Sequence, residues 1–219
     1  YLDIYNLESK LDASNADKKI KNGDSNKLTG ILVGLKDLVD IENKVTSAGS
    51  KILKNNIANK NAKISDDFRN SNSVILGKTN LVEFAFGTLG MNSSTDTCRN
   101  PWNTDAVPGG SSSGSAVAVS SGMCTIAIGT DTGGSVRMPA SLCGITGFKP
   151  SYGVVSRRGV LDLSWSMDHV GPMARSAEDC LEVMKVIAGF DINDKYSYRT
   201  KPDFFDEKVF ERKDIKIAV

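Results

Sequence analysis

Gly109-Gly110-Ser111-Ser112-Ser113-Gly114-Ser115-Ala116-Val117-Ala118-Val119-Ser120-Ser121-Gly122-Met123-Cys124-Thr125-Ile126-Ala127-Ile128-Gly129-Thr130-Asp131-Thr132-Gly133-Gly134-Ser135-Val136-Arg137 is the stretch that decides the fold. Glycine and serine cluster at both of its ends. Between the clusters, Ser115–Ser121 is made of small residues and suits a tightly packed helix. Cys124-Thr125-Ile126-Ala127-Ile128 is a short apolar run of the kind that forms a buried strand. Each glycine-rich cluster therefore abuts a packed element. That sets these loops apart from a flexible Gly/Ser linker.

The same alternation extends outward. Residues 31–35 and Val74-Ile75-Leu76 read as short buried strands, bounded by Gly30 and Gly77. Residues 1–28 are polar, with Leu2, Leu7 and Leu11 at loose helical spacing, and predict a surface helix followed by a loop. Residues 55–72 include an amphipathic helix. The clearest helix spans Ser176–Phe190, with Ser176 as N-cap, Asp179 three residues on as a capping-box variant, and Gly189 as its end. Strands alternating with helices imply an α/β sheet core. Asp214-Ile215-Lys216-Ile217-Ala218-Val219 reads as the opening of a further strand. The chain is accordingly expected to be a single domain over 1–219, truncated at its C-terminal end.

Composition excludes several classes. There are 27 basic and 26 acidic residues, for a net charge of +1, which gives no electrostatic case for nucleic acid or a membrane surface. No apolar stretch approaches the roughly 20 residues that span a bilayer. Cys98, Cys124, Cys143 and Cys180 lie far apart with no C-x-x-C pair, so neither a metal site nor a redox pair is expected. They read as reduced thiols, which points to the cytoplasm and leaves an organelle open.

Two familiar motifs fail on inspection. Gly77-Lys78-Thr79 lacks the glycine that a phosphate loop needs at position 72, where Asn72 stands. Gly110-Ser111-Ser112-Ser113-Gly114 matches the nucleophile-elbow pattern, but an elbow follows a strand directly. Here Pro101 to Pro108 precede it, and a proline-bounded stretch of this kind is no central strand. A Ser-His-Asp hydrolase would also depend on His169, the sole histidine, which reads as structural. Lys36 is the more informative residue. It sits in Ile31-Leu32-Val33-Gly34-Leu35-Lys36-Asp37-Leu38-Val39, an apolar setting that disfavours the ammonium form. A neutral lysine serves as a general base near pH 7. Asp37 and Asp40 oppose that shift only where their side chains turn toward Lys36, a direction the sequence leaves open.

Gly109–Ala116, Gly129–Arg137 and Gly144-Ile145-Thr146-Gly147-Phe148-Lys149-Pro150 together closely resemble the amidase signature family. Leu35-Lys36-Asp37, Gly77-Lys78-Thr79-Asn80 and Arg99-Asn100-Pro101-Trp102 fit the same pattern, and the similarity runs from about Leu28 to Gly189. One departure is Ser113, where that family more often has glycine. The resemblance implies a three-layer α/β/α fold around a central mixed sheet, of which this chain is the N-terminal part. It also implies a Ser–cis-Ser–Lys triad. Ser135 is then the nucleophile, Ser111 the bridging serine on a cis peptide after Gly110, and Lys36 the base. The N–H groups of Thr132, Gly133, Gly134 and Ser135 are the implied oxyanion hole. Ser112 is expected to support the loop, the alternative being a hydrogen bond within the triad. Asp131 and Arg137, which flank the nucleophile loop, are expected to pair with each other, the alternative being contact of Arg137 with a substrate carboxylate. Phe86 and Trp165 are expected either to line the acyl pocket or to pack in the core.

The implied activity is hydrolysis of a small linear amide through an acyl-enzyme, with no metal and no cofactor. A free-standing amidase is the favoured form, on the likeness of Ser164–Pro172 and Thr97–Trp102 to free amidases. The alternative is the glutaminase component of a tRNA-dependent amidotransferase, working with partner subunits. A homodimer is left open. A catalytically silent scaffold is a third reading, opposed by the joint presence of Lys36, Ser111 and Ser135.

Overall fold

The computed structural model describes residues 1–199. The strand expected at Asp214–Val219 lies outside them. Among the described residues six strands form one mixed sheet: β1 (Asp3–Ile4), β2 (Leu32–Lys36), β3 (Val74–Thr79), β4 (Ile126–Asp131), β5 (Thr146–Gly147) and β6 (His169–Ala174). Their spatial order is β1-β3-β2-β4-β6-β5. The central β3, β2 and β4 are parallel, and β1, β6 and β5 join antiparallel.

Among the described residues five α-helices cover the sheet: α1 (Asn6–Lys21), α2 (Lys63–Asn70), α3 (Ser113–Ser120), α4 (Arg137–Leu142) and α5 (Ala177–Ile187). Alternation along each strand sends neighbouring side chains to opposite faces. On one face Val33, Leu35, Ile75, Ile126, Ile128 and Val170 pack with Phe68 of α2 and Val183, Met184 and Ile187 of α5. On the other, Leu32, Leu76 and Ala127 meet Ala118 and Val119 of α3, and Met173 meets Val136 and Ala140 around α4. The result is helix, sheet, helix, the α/β/α arrangement. No helix among the described residues is long and apolar enough to cross a membrane. The four cysteines are free, three of them buried.

The expected elements shift by a few residues. β3 runs three residues past Leu76, through Gly77-Lys78-Thr79, which places this segment in a strand rather than a phosphate-binding loop. β4 starts at Ile126 and continues to Asp131. The helix expected within 55–72 begins only at Lys63, because Ile57 is taken by an antiparallel bridge to Val45. Helix α1 exposes Leu7 and Leu11 and buries Ser9 and Ala16 instead. At α5 the cap is as read: Ser176 Oγ accepts the Asp179 N–H at 3.1 Å.

α3 owes its position to the small residues along it. Its Gly114 donates its N–H to the Asn80 carbonyl at 2.9 Å. A Cβ at Gly114 would lie 2.4 Å from the Asn80 nitrogen and 2.6 Å from its oxygen. Backbone atoms cannot yield as a flexible side chain does. Gly114→Ala is therefore expected to destabilise the fold by about 1–3 kcal/mol, the range for overpacking. Urea unfolding measures this; an unchanged midpoint would show that helix and strand end do not meet so closely.

Candidate functional site

β2, β4 and the start of α3 end at one place, and the chemistry-bearing residues gather there. Lys36 is the last residue of β2 and is fully buried. Its Nζ donates to Ser111 Oγ at 2.7 Å, Ser112 Oγ at 2.9 Å and Thr130 Oγ1 at 2.8 Å. Three hydroxyls and no carboxylate receive its protons. Burial therefore dominates and lowers the Lys36 pKa to about 7, against the upward pull of Asp131 and Asp168. Asp37 and Asp40, whose directions the sequence leaves open, are not among the groups that shift Lys36. Asp37 turns to the opposite face of the sheet and bonds Lys78.

The Gly110–Ser111 peptide is cis. Both sides of it are held: Gly110 N–H donates to the Thr88 carbonyl at 2.7 Å, and the Ser111 carbonyl accepts the Val82 N–H at 3.1 Å. Ser112 is tied to Thr130 twice. Its hydroxyl donates to the Thr130 carbonyl at 3.2 Å and accepts the Thr130 N–H at 3.3 Å.

The loop after β4 is organised by Asp131, which is fully buried. Its carboxylate accepts the N–H groups of Gly134 at 2.8 Å and Val136 at 3.1 Å. Arg137 closes the loop with Nε at 3.0 Å and Nη2 at 2.9 Å, a two-point pairing. Burial pushes the Asp131 carboxyl up, but the Arg137 side chain and the backbone N–H groups of Val136, Gly134 and Arg137 outweigh it and hold the pKa at about 2. Asp131 and Arg137 are thus brought together.

Ser135 sits on this loop, 7% exposed, with its carbonyl accepting the Ser112 N–H at 3.2 Å. Its hydroxyl makes no hydrogen bond to another described residue, Ser111 included. Of the expected oxyanion donors, the Gly134 N–H is engaged by Asp131, whereas those of Thr132, Gly133 and Ser135 bond to no described residue. The Thr132 hydroxyl donates to Asp168.

Asp168 and Thr130 are site residues that the sequence reading passed over. Asp168 also accepts the N–H groups of Leu163 at 2.8 Å and Ser164 at 2.9 Å, so it ties the 163–168 loop to Thr132. The acid beside a lone histidine is the signal that could have found it. His169 places Nδ1 3.1 Å from the Asp131 carbonyl and meets Tyr152 edge-on, and it makes no hydrogen bond to Ser135. Neither aromatic candidate is in the core. Phe86 is 82% exposed and borders an open cavity of about 580 Å³ with Val82, Phe84, Met91 and Leu163. Trp165 stacks on Tyr196 instead. No group of His, Cys, Asp and Glu among the described residues is arranged to hold a metal ion.

Comparison with known proteins bears on this geometry. A model of the amidase family matches residues 1–219. The chain belongs to the amidase family. It is 49% identical over 193 residues to the A subunit of glutamyl-tRNA(Gln) amidotransferase from Dehalococcoides mccartyi, covering 88% of this chain and 40% of that protein. Among solved structures it resembles the corresponding protein of Thermotoga maritima, with a TM-score of 0.77 and 37% identity over 90% of this chain and 47% of that one. The native peptide amidase of Stenotrophomonas maltophilia matches with a TM-score of 0.82 and 36% identity, over 90% and 42% of the two chains. The chain thus spans about two fifths of the length of the curated relatives it matches.

Proposed function

We propose that this amidase-family chain belongs to an amide hydrolase that works through an acyl-enzyme on Ser135. The observation that carries the reading is Lys36, a buried lysine that gives its hydrogen bonds to hydroxyls alone and has a pKa near 7. A serine hydroxyl is a weak nucleophile until a base takes its proton. Neutral Lys36 takes the Ser111 proton as Ser111 takes that of Ser135. The Ser135 oxygen bonds to the amide carbon, and the carbonyl oxygen becomes an oxyanion. The free N–H groups of Thr132, Gly133 and Ser135 are its donors, each typically contributing about 3 kcal/mol to the transition state. The C–N bond then breaks, and the proton returns through Ser111 to the departing nitrogen. Water, deprotonated by the same relay, splits the ester and restores Ser135. Ser112, with its two bonds to Thr130, positions the relay, and the Asp131–Arg137 pair shapes the nucleophile loop.

A second question is how the released ammonia is used. The motif likeness alone favours a free-standing amidase. The curated relative named above supports the other form somewhat more, since the chain is 49% identical to that amidotransferase component. We therefore take glutamine as the amide and partner subunits as the destination of the ammonia, in the cytoplasm or an organelle. Residues 1–219 are read as part of one domain. Ammonia release from glutamine by the full-length protein tests this. The expected result is slow turnover alone, strong stimulation by partner subunits with charged tRNA, and no turnover of simple amides. Rapid hydrolysis of aliphatic or aromatic amides by the protein alone would restore the free amidase.

A further inference from the structure

We propose that Lys78 is a positioning residue for Lys36, acting through its buried ion pair with Asp37. The inference rests on the amide-hydrolase reading above. β2 and β3 run parallel with Lys36 beside Thr79 and Leu35 beside Lys78. Side chains alternate along a strand, so the two lysines point to opposite faces of the sheet. Both are fully buried, and they solve that burial differently. Lys36 faces hydroxyls, on the side where Thr79 Oγ1 meets Ser115 Oγ of α3 at 2.7 Å. Lys78 faces a carboxylate, with Nζ 2.9 Å from Asp37 Oδ1.

Asp37 follows Lys36 directly, so what fixes Asp37 fixes the end of β2. Its Oδ2 accepts both the Ser47 N–H, at 2.9 Å, and the Ser47 hydroxyl. Lys78 also reaches Thr46 Oγ1 at 3.2 Å. The Asp37 carbonyl accepts the Ala48 N–H at 3.0 Å, and the Ala48 carbonyl accepts the Phe84 N–H at 2.9 Å. Two residues before Phe84, the Val82 N–H holds the Ser111 carbonyl. The ion pair thus anchors the turn after Lys36 and the loop that holds Ser111, the two sides of the Lys36–Ser111 bond. Removing Lys78 leaves a buried carboxylate without its cation, and the Asp37 turn must move to hydrate it. A long side chain aimed at three hydroxyls does not tolerate that movement; misplacement by about 1 Å costs roughly 100-fold in rate.

The test uses the full-length protein, with reactive sites counted by fluorophosphonate labelling of Ser135 in a separate aliquot so that the rates of the unlabelled protein refer to those sites only. The amide is glutamine, or benzamide if wild type hydrolyses that instead. Lys78→Met is expected to lower kcat per reactive site about 100-fold with KM little changed. Lys78→Arg is expected to recover most of it, since its guanidinium keeps a donor for Asp37. The adjoining cavity of about 330 Å³, lined in part by Lys78, takes the extra bulk. If Lys78→Met yields too little folded protein, Asp37→Asn reads the same bond from its other side, with the same loss expected. Wild-type kcat per site in Lys78→Met or Asp37→Asn would overturn the inference. Wild-type protein that neither turns over an amide nor labels would instead overturn the reading beneath it, and the inference with it.

Discussion

Ser135→Ala is expected to remove amide turnover, with a loss in kcat of about 10⁶-fold, the scale seen when a nucleophile is deleted from a unit that acts together. Fluorophosphonate labelling disappears with it. The fold should be untouched. The Ser135 hydroxyl bonds to no described residue, so its removal strands no buried partner and stability should stay within about 0.5 kcal/mol of wild type. Loss of chemistry without loss of stability separates Ser135 from Ser111 and Ser112, whose hydroxyls each accept a hydrogen bond from Lys36. Residual turnover within tenfold of wild type would place the nucleophile elsewhere. The assay is ammonia release, with unfolding followed in parallel.

Lys36→Ala is expected to cost at least about 10²–10⁴-fold in kcat/KM, the usual contribution of a general base. The wild-type pH profile carries the same information. Burial lowers the Lys36 pKa to about 7, and the neutral form is the base. As pH falls through about 7 the amine takes up a proton and kcat/KM should fall tenfold per unit. Above about 7 it should level off. Lys36→Ala should lose this acid limb. Lys36→Arg should not recover activity, because a guanidinium stays protonated throughout the range. An acid limb that persists in Lys36→Ala, or a wild-type midpoint near 10, would assign the base to another group.

Much of this is legible in the sequence, because loop chemistry and strand burial are local properties. The apolar run around Lys36 identifies a buried lysine, and the small residues of 115–121 identify a helix that packs backbone to backbone. The directions of neighbouring side chains are not legible. Asp37 adjoins Lys36 in the chain yet serves Lys78, because one residue of a strand and the next face opposite sides. The carboxylates that do raise Lys36, Asp131 and Asp168, come from β4 and the residue before β6. Strand β6 itself is hidden by Gly171 and Pro172. Proline lacks the N–H that a ladder needs, and glycine weakens strand propensity. Here Gly171 is required by the close approach of Phe148, whose carbonyl oxygen would lie 2.1 Å from a Cβ at that position. Only the tertiary neighbour explains it. Lys78 sits inside a segment that, as sequence, reads as a failed phosphate loop and as part of the family pattern, and neither reading gives the lysine a partner. Its true setting, a strand with a carboxylate on the adjoining one, needs the β2–β3 register to be seen. The Gly134 N–H is a similar case: its backbone suits an oxyanion donor, but the structure shows Asp131 already holding it.

The most direct test of the acyl-enzyme is to quench the full-length protein during turnover of glutamine and map the adduct by peptide mass. A γ-glutamyl ester is expected on the peptide carrying Ser135, absent from Ser135→Ala and preserved by the acid quench. An adduct on another residue, on a cysteine above all, or turnover with no covalent intermediate at any pH, would contradict it.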